Sequence, residues 1–107
     1  MSISSREMVA ELKTLLTHRF GEEVQQVTLF GSQSQGTATE DSDYDILVVL
    51  QHDYDWRKEK QIINACYALD LKYDILTDVK VISLNELQSP KGQQPYIVNA
   101  LQQGMSV

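Results

Sequence analysis

Two aspartates one residue apart, Asp43 and Asp45, are the residues of this chain best spaced to do chemistry. Side chains two positions apart on a β-strand project from the same face, so the two carboxylates should lie together, with Tyr44 on the opposite side. Two carboxylates that close repel each other unless a cation lies between them. Because carboxylate oxygens suit Mg²⁺ and Ca²⁺, we expect a divalent metal there.

The aspartate pair lies between two apolar runs that predict β-strands over 24–30 and 44–50. The second run is continuously apolar, which indicates burial on both faces and a central position in a sheet. The first run ends at Gly31 and Ser32, and small polar residues and turn-formers follow. A short helical turn with free amides is expected to begin near Ser32. The two strands should present the Gly-Ser turn and the carboxylates to one another.

A third carboxylate, Asp78, interrupts a third strand predicted over 73–83. A carboxylate buried alone is costly, so Asp78 needs a partner, a metal or access to water. Asp74 is a rival for the same role. Its position at the start of the run instead predicts that it ends the preceding helical region.

Apolar residues at helical intervals predict three helices, over 4–20, 56–71 and 96–103. Ser4 and Asp55 are the expected N-terminal caps, and Gly21 and Gly104 the expected stops. The element order is helix, strand, strand, helix, strand, helix. The apolar residues predicted to be buried in the three helices are Met8, Leu12, Leu15, Leu16, Phe20, Ile62, Ile63, Cys66, Leu69, Ile97, Ala100 and Leu101.

Composition favours one cytoplasmic domain over 1–107 that does not bind nucleic acid directly. The length of 107 residues is that of a single domain. The net charge of −6 argues against broad nucleic-acid binding, which needs a basic surface. One cysteine, Cys66, excludes an internal disulfide and suits a reducing compartment. Neither a signal peptide nor an apolar run of roughly 20 residues is found, so no membrane association is expected.

A phosphate-binding P-loop is one alternative for the central stretch. Gly31 and Gly36 have the required separation, but Thr37 stands where the lysine must be. Because that lysine contacts the phosphates, the P-loop fits poorly.

An EF-hand calcium loop is another alternative. Asp41, Asp43 and Asp45 match its first three ligand positions. However, Ile46 replaces the glycine of its sharp turn and His52 replaces its bidentate glutamate. The EF-hand therefore also fits poorly.

The order Gly31-Ser32, ten residues, Asp43-Tyr44-Asp45 resembles the Gly-Ser-x10-Asp-x-Asp signature of the minimal nucleotidyltransferases, in the DNA polymerase β superfamily. The flanking strands agree, and Asp78 resembles the family's third carboxylate on a later strand. The resemblance covers nearly the whole chain, from the first helix to Gly104. It implies an α/β (α+β) nucleotidyltransferase fold with a mixed sheet and helices mainly on one side.

The resemblance also implies Mg²⁺-dependent transfer of a nucleoside monophosphate, AMP from ATP, to a hydroxyl group. Asp43, Asp45 and Asp78 would be the catalytic and metal-binding residues, and Asp78 could also accept the proton of the attacking hydroxyl. Gly31 would let the backbone approach the triphosphate, and Ser32 would hydrogen-bond its terminal phosphates.

The expected acceptor is a second protein. Larger members of the superfamily carry a further domain that binds the acceptor, and we expect none in this chain. Small solo domains that resemble it are often paired with a HEPN-domain toxin, and some transfer AMP to a tyrosine of that toxin ribonuclease, acting as antitoxins. A small hydroxyl acceptor such as an antibiotic, a non-catalytic contact module using 88–107, and nucleotide sensing are the alternatives. A homo-oligomer is compatible with each.

Overall fold

A computed structural model describes residues 4–31 and 44–106 of the chain. Two 3₁₀ turns, Gly21–Glu23 and Pro90–Gln93, connect its regular elements. In chain order those elements are α1 (Ser5–Phe20), β1 (Val24–Phe30), β2 (Tyr44–Leu50), α2 (Trp56–Tyr73), β3 (Thr77–Ser83), α3 (Leu84–Leu87), α4 (Pro95–Gln103) and β4 (Met105–Ser106).

The four strands form one mixed sheet in the order β3-β2-β1-β4. β2 pairs antiparallel with β1 and parallel with β3, and β4 pairs antiparallel with β1. The bounds predicted for the first two strands and the central position predicted for β2 are confirmed. Burial explains that position, since all five residues from Ile46 to Leu50 are buried.

The two long helices, α1 and α2, cover one face of the sheet, which we call the helix face. The main core lies there and contains, among others, Met8, Leu12, Leu16, Val27, Leu29, Ile46, Val48, Ile62, Cys66 and Val81. The opposite face, which we call the carboxylate face, carries Asp45 and Asp78 and is partly covered by the shorter α4. Its smaller core contains Phe30, Leu47, Val49, Ile82, Ile97 and Ala100. The predicted mixed sheet with helices mainly on one side is confirmed.

Side chains predicted to cap the helices do so. The Ser4 hydroxyl accepts a hydrogen bond from the Glu7 amide at 3.1 Å, at the start of α1. The Asp55 carboxylate accepts from the amides of Arg57 and Lys58, at the start of α2. Gly21 follows α1 with a φ of +64°, a conformation that glycine adopts without steric cost.

The boundary between α2 and β3 differs from the prediction. The helix continues to Tyr73, and the strand begins at Thr77 rather than at 73. Asp74 adopts a left-handed φ of +54° and donates its amide to the Asp70 carbonyl, which ends the helix. Aspartate is among the few residues that tolerate this conformation. Asp74 thus ends the helix, as the sequence predicted.

Four residues predicted to be buried are not fully buried: Leu15 and Phe20 are partly buried against the main core, and Ile63 and Leu101 are exposed. One strand was also missed. Ile63 and Leu101 expose about two fifths of their surface. Each lies about 100° around its helix from a buried neighbour, so it points away from the sheet. β4 has two residues, too few for a periodic sequence pattern. No helix within 4–31 and 44–106 is long and apolar enough to cross a membrane.

Candidate active site

Asp45 of β2 and Asp78 of β3 are direct neighbours in the parallel register of the sheet. Adjacent strands lie about 4.8 Å apart, and register partners project from the same face. The structure therefore brings together two carboxylates that are 33 positions apart in the sequence. Both lie near the amino ends of their strands, on the carboxylate face. The side chain of Asp78 is about half exposed, so the predicted access to water is present.

Gly31 closes the site from the side of β1. The preceding residue, Phe30, pairs with Asp45 across the antiparallel ladder, which brings the turn to the carboxylate. Gly31 has a φ of +76°, and a Cβ atom placed there would collide with Oδ2 of Asp45 and lie 3.3 Å from its Cγ. Both its conformation and this close approach require glycine.

The remaining predicted site residues, Ser32 and Asp43, lie outside the described residues, as does the helical turn expected near Ser32. Tyr44, the first residue of β2, is partly buried against the main core, on the face opposite Asp45. Its amide donates to the Leu76 carbonyl at 2.8 Å, which extends the β2–β3 ladder toward 43.

The described part of the site suits a divalent cation. Asp45 and Asp78 supply hard oxygen donors from neighbouring strands, and Gly31, which has no side chain, lets the Asp45 carboxylate lie against the turn. Within 4–31 and 44–106, no group of three His, Cys, Asp or Glu side chains is arranged around a common metal position. A third protein ligand would therefore have to come from the rest of the chain, where Asp43 is the predicted one.

Lys80 is a neighbour of the site that the sequence analysis missed. Its Nζ lies 3.2 Å from Oδ1 of Asp78, and both side chains are about half exposed. The sequence contained a signal for this contact. Residues two positions apart on a strand project from the same face, so the side chain of Lys80 can reach the carboxylate of Asp78. We call Gly31, Asp45, Asp78 and Lys80 the amino-end cluster.

A second polar group lies beyond the opposite ends of β2 and β3. The Ser83 hydroxyl donates to Asp53 at 2.8 Å, the Tyr54 hydroxyl donates to the Val81 carbonyl at 2.6 Å, and Lys91 pairs with Glu86 at 3.0 Å. Burial and the neighbouring Glu86 carboxylate raise the pKa of Tyr54 to about 12. An open cavity of about 570 Å³ is bordered by Asp53, Tyr54, Glu86 and Lys91. We call Asp53, Tyr54, Ser83, Glu86 and Lys91 the carboxyl-end cluster.

With this geometry in view, comparison with known proteins identifies the family. The family model for polymerase beta nucleotidyltransferases matches residues 10–102. The chain belongs to this family, and both its mixed sheet and its Gly-Ser-x10-Asp-x-Asp pattern agree with a minimal nucleotidyltransferase.

Relatives in sequence and in structure extend the comparison. The chain is 28% identical over 102 residues to a candidate protein adenylyltransferase of Methanocaldococcus jannaschii, covering 95% of this chain and 96% of the relative. It is similar to a chain of a toxin–antitoxin crystallised with AMP-PNP, with a TM-score of 0.58, 24% identity and coverage of 95% and 71%. A chain of a substituted MntA–HpeT toxin–antitoxin is similar with a TM-score of 0.58, 26% identity and coverage of 92% and 69%.

Proposed function

We propose that this nucleotidyltransferase transfers AMP from ATP, with Mg²⁺, to a hydroxyl group of a partner protein, and that the transfer makes it an antitoxin. The observation that carries the proposal is the register pairing of Asp45 with Asp78 beside Gly31. Family membership supports nucleotidyl transfer, and the adenylyltransferase of M. jannaschii supports AMP and a protein acceptor. The MntA–HpeT likeness supports a toxin as that acceptor.

In the proposed reaction a hydroxyl oxygen of the acceptor attacks the α-phosphorus of ATP, and the bond from that phosphorus to the bridging oxygen breaks, releasing pyrophosphate. Asp43, Asp45 and Asp78 would hold the metal. When bound, Mg²⁺ would neutralise the charge that develops on the attacking and leaving oxygens. Asp78 would also accept the hydroxyl proton. Gly31 would admit the triphosphate close to the backbone, and Ser32 would donate hydrogen bonds to its terminal phosphates.

The place of Asp78 in the sheet supports a protein acceptor. Asp78 lies on β3, the outer strand at its side of the sheet, and its side chain is about half exposed. An in-line reaction requires the acceptor to approach from the side opposite the leaving pyrophosphate. If the triphosphate lies over Gly31 at the end of β1, the acceptor approaches across β3, from outside the sheet. Because the small domains that this chain resembles are often paired with HEPN-domain toxins, we infer that the acceptor is a tyrosine of such a toxin.

An exposed apolar stripe on α2 supports a protein partner independently of catalysis. Trp56, Ile63, Tyr67 and Leu71 recur at helical spacing on its outer surface, and three of the four expose more than half of their area. Clustered exposed apolar side chains are typical of protein interaction sites. This stripe favours a second candidate function, in which the chain neutralises its partner by contact alone. The sequence analysis placed the contact surface of such a module in the segment 88–107. Two apolar residues of that segment, Ile97 and Ala100, instead pack against the sheet.

Intact-mass spectrometry distinguishes the two functions. The chain is incubated with the protein encoded by the neighbouring gene, ATP and Mg²⁺. We expect the neighbour to gain the mass of one or more AMP groups with the parent chain and none with Asp45→Asn. Asp74→Asn is the matched control, because it makes the same charge change at an exposed position whose left-handed backbone asparagine tolerates.

A stable complex without added mass would support the contact module and contradict transfer to that partner. With neither a complex nor added mass, the acceptor would have to be sought among small hydroxyl compounds. Equal transfer by the parent and Asp45→Asn would contradict the site itself.

A further inference from the structure

Lys80 lies where it can compete with a metal ion for the catalytic carboxylates. It is two residues beyond Asp78 on β3, and its Nζ is 3.2 Å from Oδ1 of that carboxylate. Residue 80 pairs with Leu47 and residue 78 with Asp45 in the parallel ladder. Asp45, Asp78 and Lys80 therefore share the carboxylate face, and the ammonium contacts an oxygen that is a proposed metal ligand.

The two side chains are equally exposed, at 47% each. Both ends of the pair are in water, so the ammonium can leave the carboxylate without breaking a buried network. Exposed pairs of this kind contribute little to stability. A divalent cation that binds two or three carboxylates can displace such a partner, whereas a deeply buried pair would resist it.

We propose that Lys80 is a built-in counter-ion of the proposed metal site: it neutralises Asp78 in the metal-free protein and must be displaced when the cation binds. The inference rests on the proposed function, because it takes Asp78 to be a metal ligand. Its consequence is that the free protein holds a bare cation weakly. A cation arriving with a nucleotide brings phosphate oxygens as further ligands and overcomes the competition more readily.

Lysine on an outer strand also has a simpler use, since charged side chains discourage pairing with other strands. That use would make aggregation sensitive to Lys80 but would leave the affinity for metal unchanged. The two roles therefore differ in a measurable quantity that does not depend on catalysis.

The test measures Mn²⁺ binding to the nucleotide-free protein by electron paramagnetic resonance, which detects the free ion. Lys80→Met removes the charge and keeps much of the side-chain length. We expect it to bind Mn²⁺ about two- to fivefold more tightly than the parent, the range that an exposed pair can contribute. Lys80→Arg should stay close to the parent. Lys72→Met is the control, because it removes a lysine from an ion pair with Glu11 between the two long helices. Its Mn²⁺ affinity should equal that of the parent.

A double-mutant cycle separates competition at Asp78 from the general repulsion between a lysine and a metal ion. In an Asp78→Asn background, Lys80→Met should leave the Mn²⁺ affinity almost unchanged, because the carboxylate for which Lys80 competes is absent. An equal gain in both backgrounds would overturn the proposal in favour of charge acting at a distance. No gain in either would overturn it in favour of the simpler surface role.

The Asp45→Asn variant shows which conclusion has failed. If Asp45→Asn loses Mn²⁺ binding but Lys80→Met resembles the parent, the inference about Lys80 fails and the metal site stands. If the parent and Asp45→Asn bind Mn²⁺ equally, the metal site of the proposed function fails and the role of Lys80 fails with it.

Discussion

The two ends of the β2–β3 strand pair carry polar clusters of opposite kinds. In the carboxyl-end cluster every acid has a protein partner: Asp53 accepts from Ser83, and Glu86 pairs with Lys91. In the amino-end cluster two carboxylates are register neighbours, and the ammonium of Lys80 lies beside one of them at the surface. Carboxylates that hold internal hydrogen bonds and ion pairs stabilise the fold, whereas carboxylates on neighbouring strands near the surface can bind a cation between them. The comparison supports a structural role for the carboxyl-end cluster and the proposed metal site at the amino-end cluster.

The position of the amino-end cluster also refines a rule about sheets. In open parallel sheets, ligands bind beyond the carboxyl ends of the strands, which would point to the 570 Å³ cavity beside Asp53. Here β1 is antiparallel to β2, so the carboxyl end of β1 and the turn at Gly31 meet the amino ends of β2 and β3. The mixed topology therefore moves the candidate site to the other end of the strand pair.

The largest expected effect comes from replacing one carboxylate by an amide in each of the two clusters. One replacement should lower activity and the other should lower stability. Asp45→Asn should lower nucleotidyl transfer at least about 100-fold, because changes even to groups that support metal ligands cost 10–100-fold. Its unfolding free energy should stay within about 1 kcal/mol of the parent. Asp53→Asn should instead lose about 1 kcal/mol of stability, since it removes the charge that strengthens the hydrogen bond from Ser83 and places an NH₂ group against the amide of Asn85. It should keep its transfer activity.

Transfer assays and urea unfolding curves of the two variants check this reversal. Loss of activity in Asp53→Asn at full stability would place the functional site at the carboxyl end and contradict the comparison.

Alanine substitution at two glycines measures how closely the turn approaches Asp45. Gly31→Ala and Gly21→Ala both place a side chain at positive φ, at +76° and +64°, which costs about 1–2 kcal/mol. A Cβ at Gly21 has no atom within 4 Å, whereas one at Gly31 collides with Asp45. Both variants should lose stability by thermal unfolding, but only Gly31→Ala should also lose Mn²⁺ affinity, by about tenfold. Equal Mn²⁺ affinities would show that the turn does not shape the site.

Removing one hydroxyl from the carboxyl-end cluster should give the smallest effect. Tyr54→Phe deletes the hydrogen bond to the Val81 carbonyl and should cost about 1 kcal/mol of unfolding free energy near neutral pH. Nucleotidyl transfer should not change. Tyr67→Phe, at an exposed position on α2, is the control and should resemble the parent.

The same variant should change the alkaline limb of the stability curve. The pKa of Tyr54 is about 12 in the folded protein, above its ordinary value of 10, so the folded state holds the proton more tightly. Its contribution to stability is therefore complete below pH 10 and is lost as the pH rises through 12. Burial likewise raises the pKa of Cys66 to about 12, which gives a loss of the same sign. The decline above pH 10 should be shallower in Tyr54→Phe, and an unchanged slope would contradict this assignment.

Local signals allowed much of the fold to be predicted. The predicted bounds of β1 and β2 match the structure, because Gly31 ends the β-favouring stretch of β1 and a continuous apolar run from Ile46 to Leu50 defines most of β2. The caps Ser4 and Asp55 were predicted because they bond amides within three residues. Errors occurred where tertiary packing decided the outcome, as in the extension of α2 to Tyr73, whose hydroxyl bonds to Glu11 of α1.

The sequence by itself determined the chemical inventory of the site: a Gly-Ser turn, two aspartates at strand spacing and a third acid in a later strand. These are properties of composition and of separations along the chain. Only the tertiary structure decided that Asp78 lies directly beside Asp45, that Gly31 approaches the same carboxylate and that Lys80 faces Asp78. Strand order and register depend on packing between distant segments, and a one-residue shift in register would place Asp78 on the opposite face.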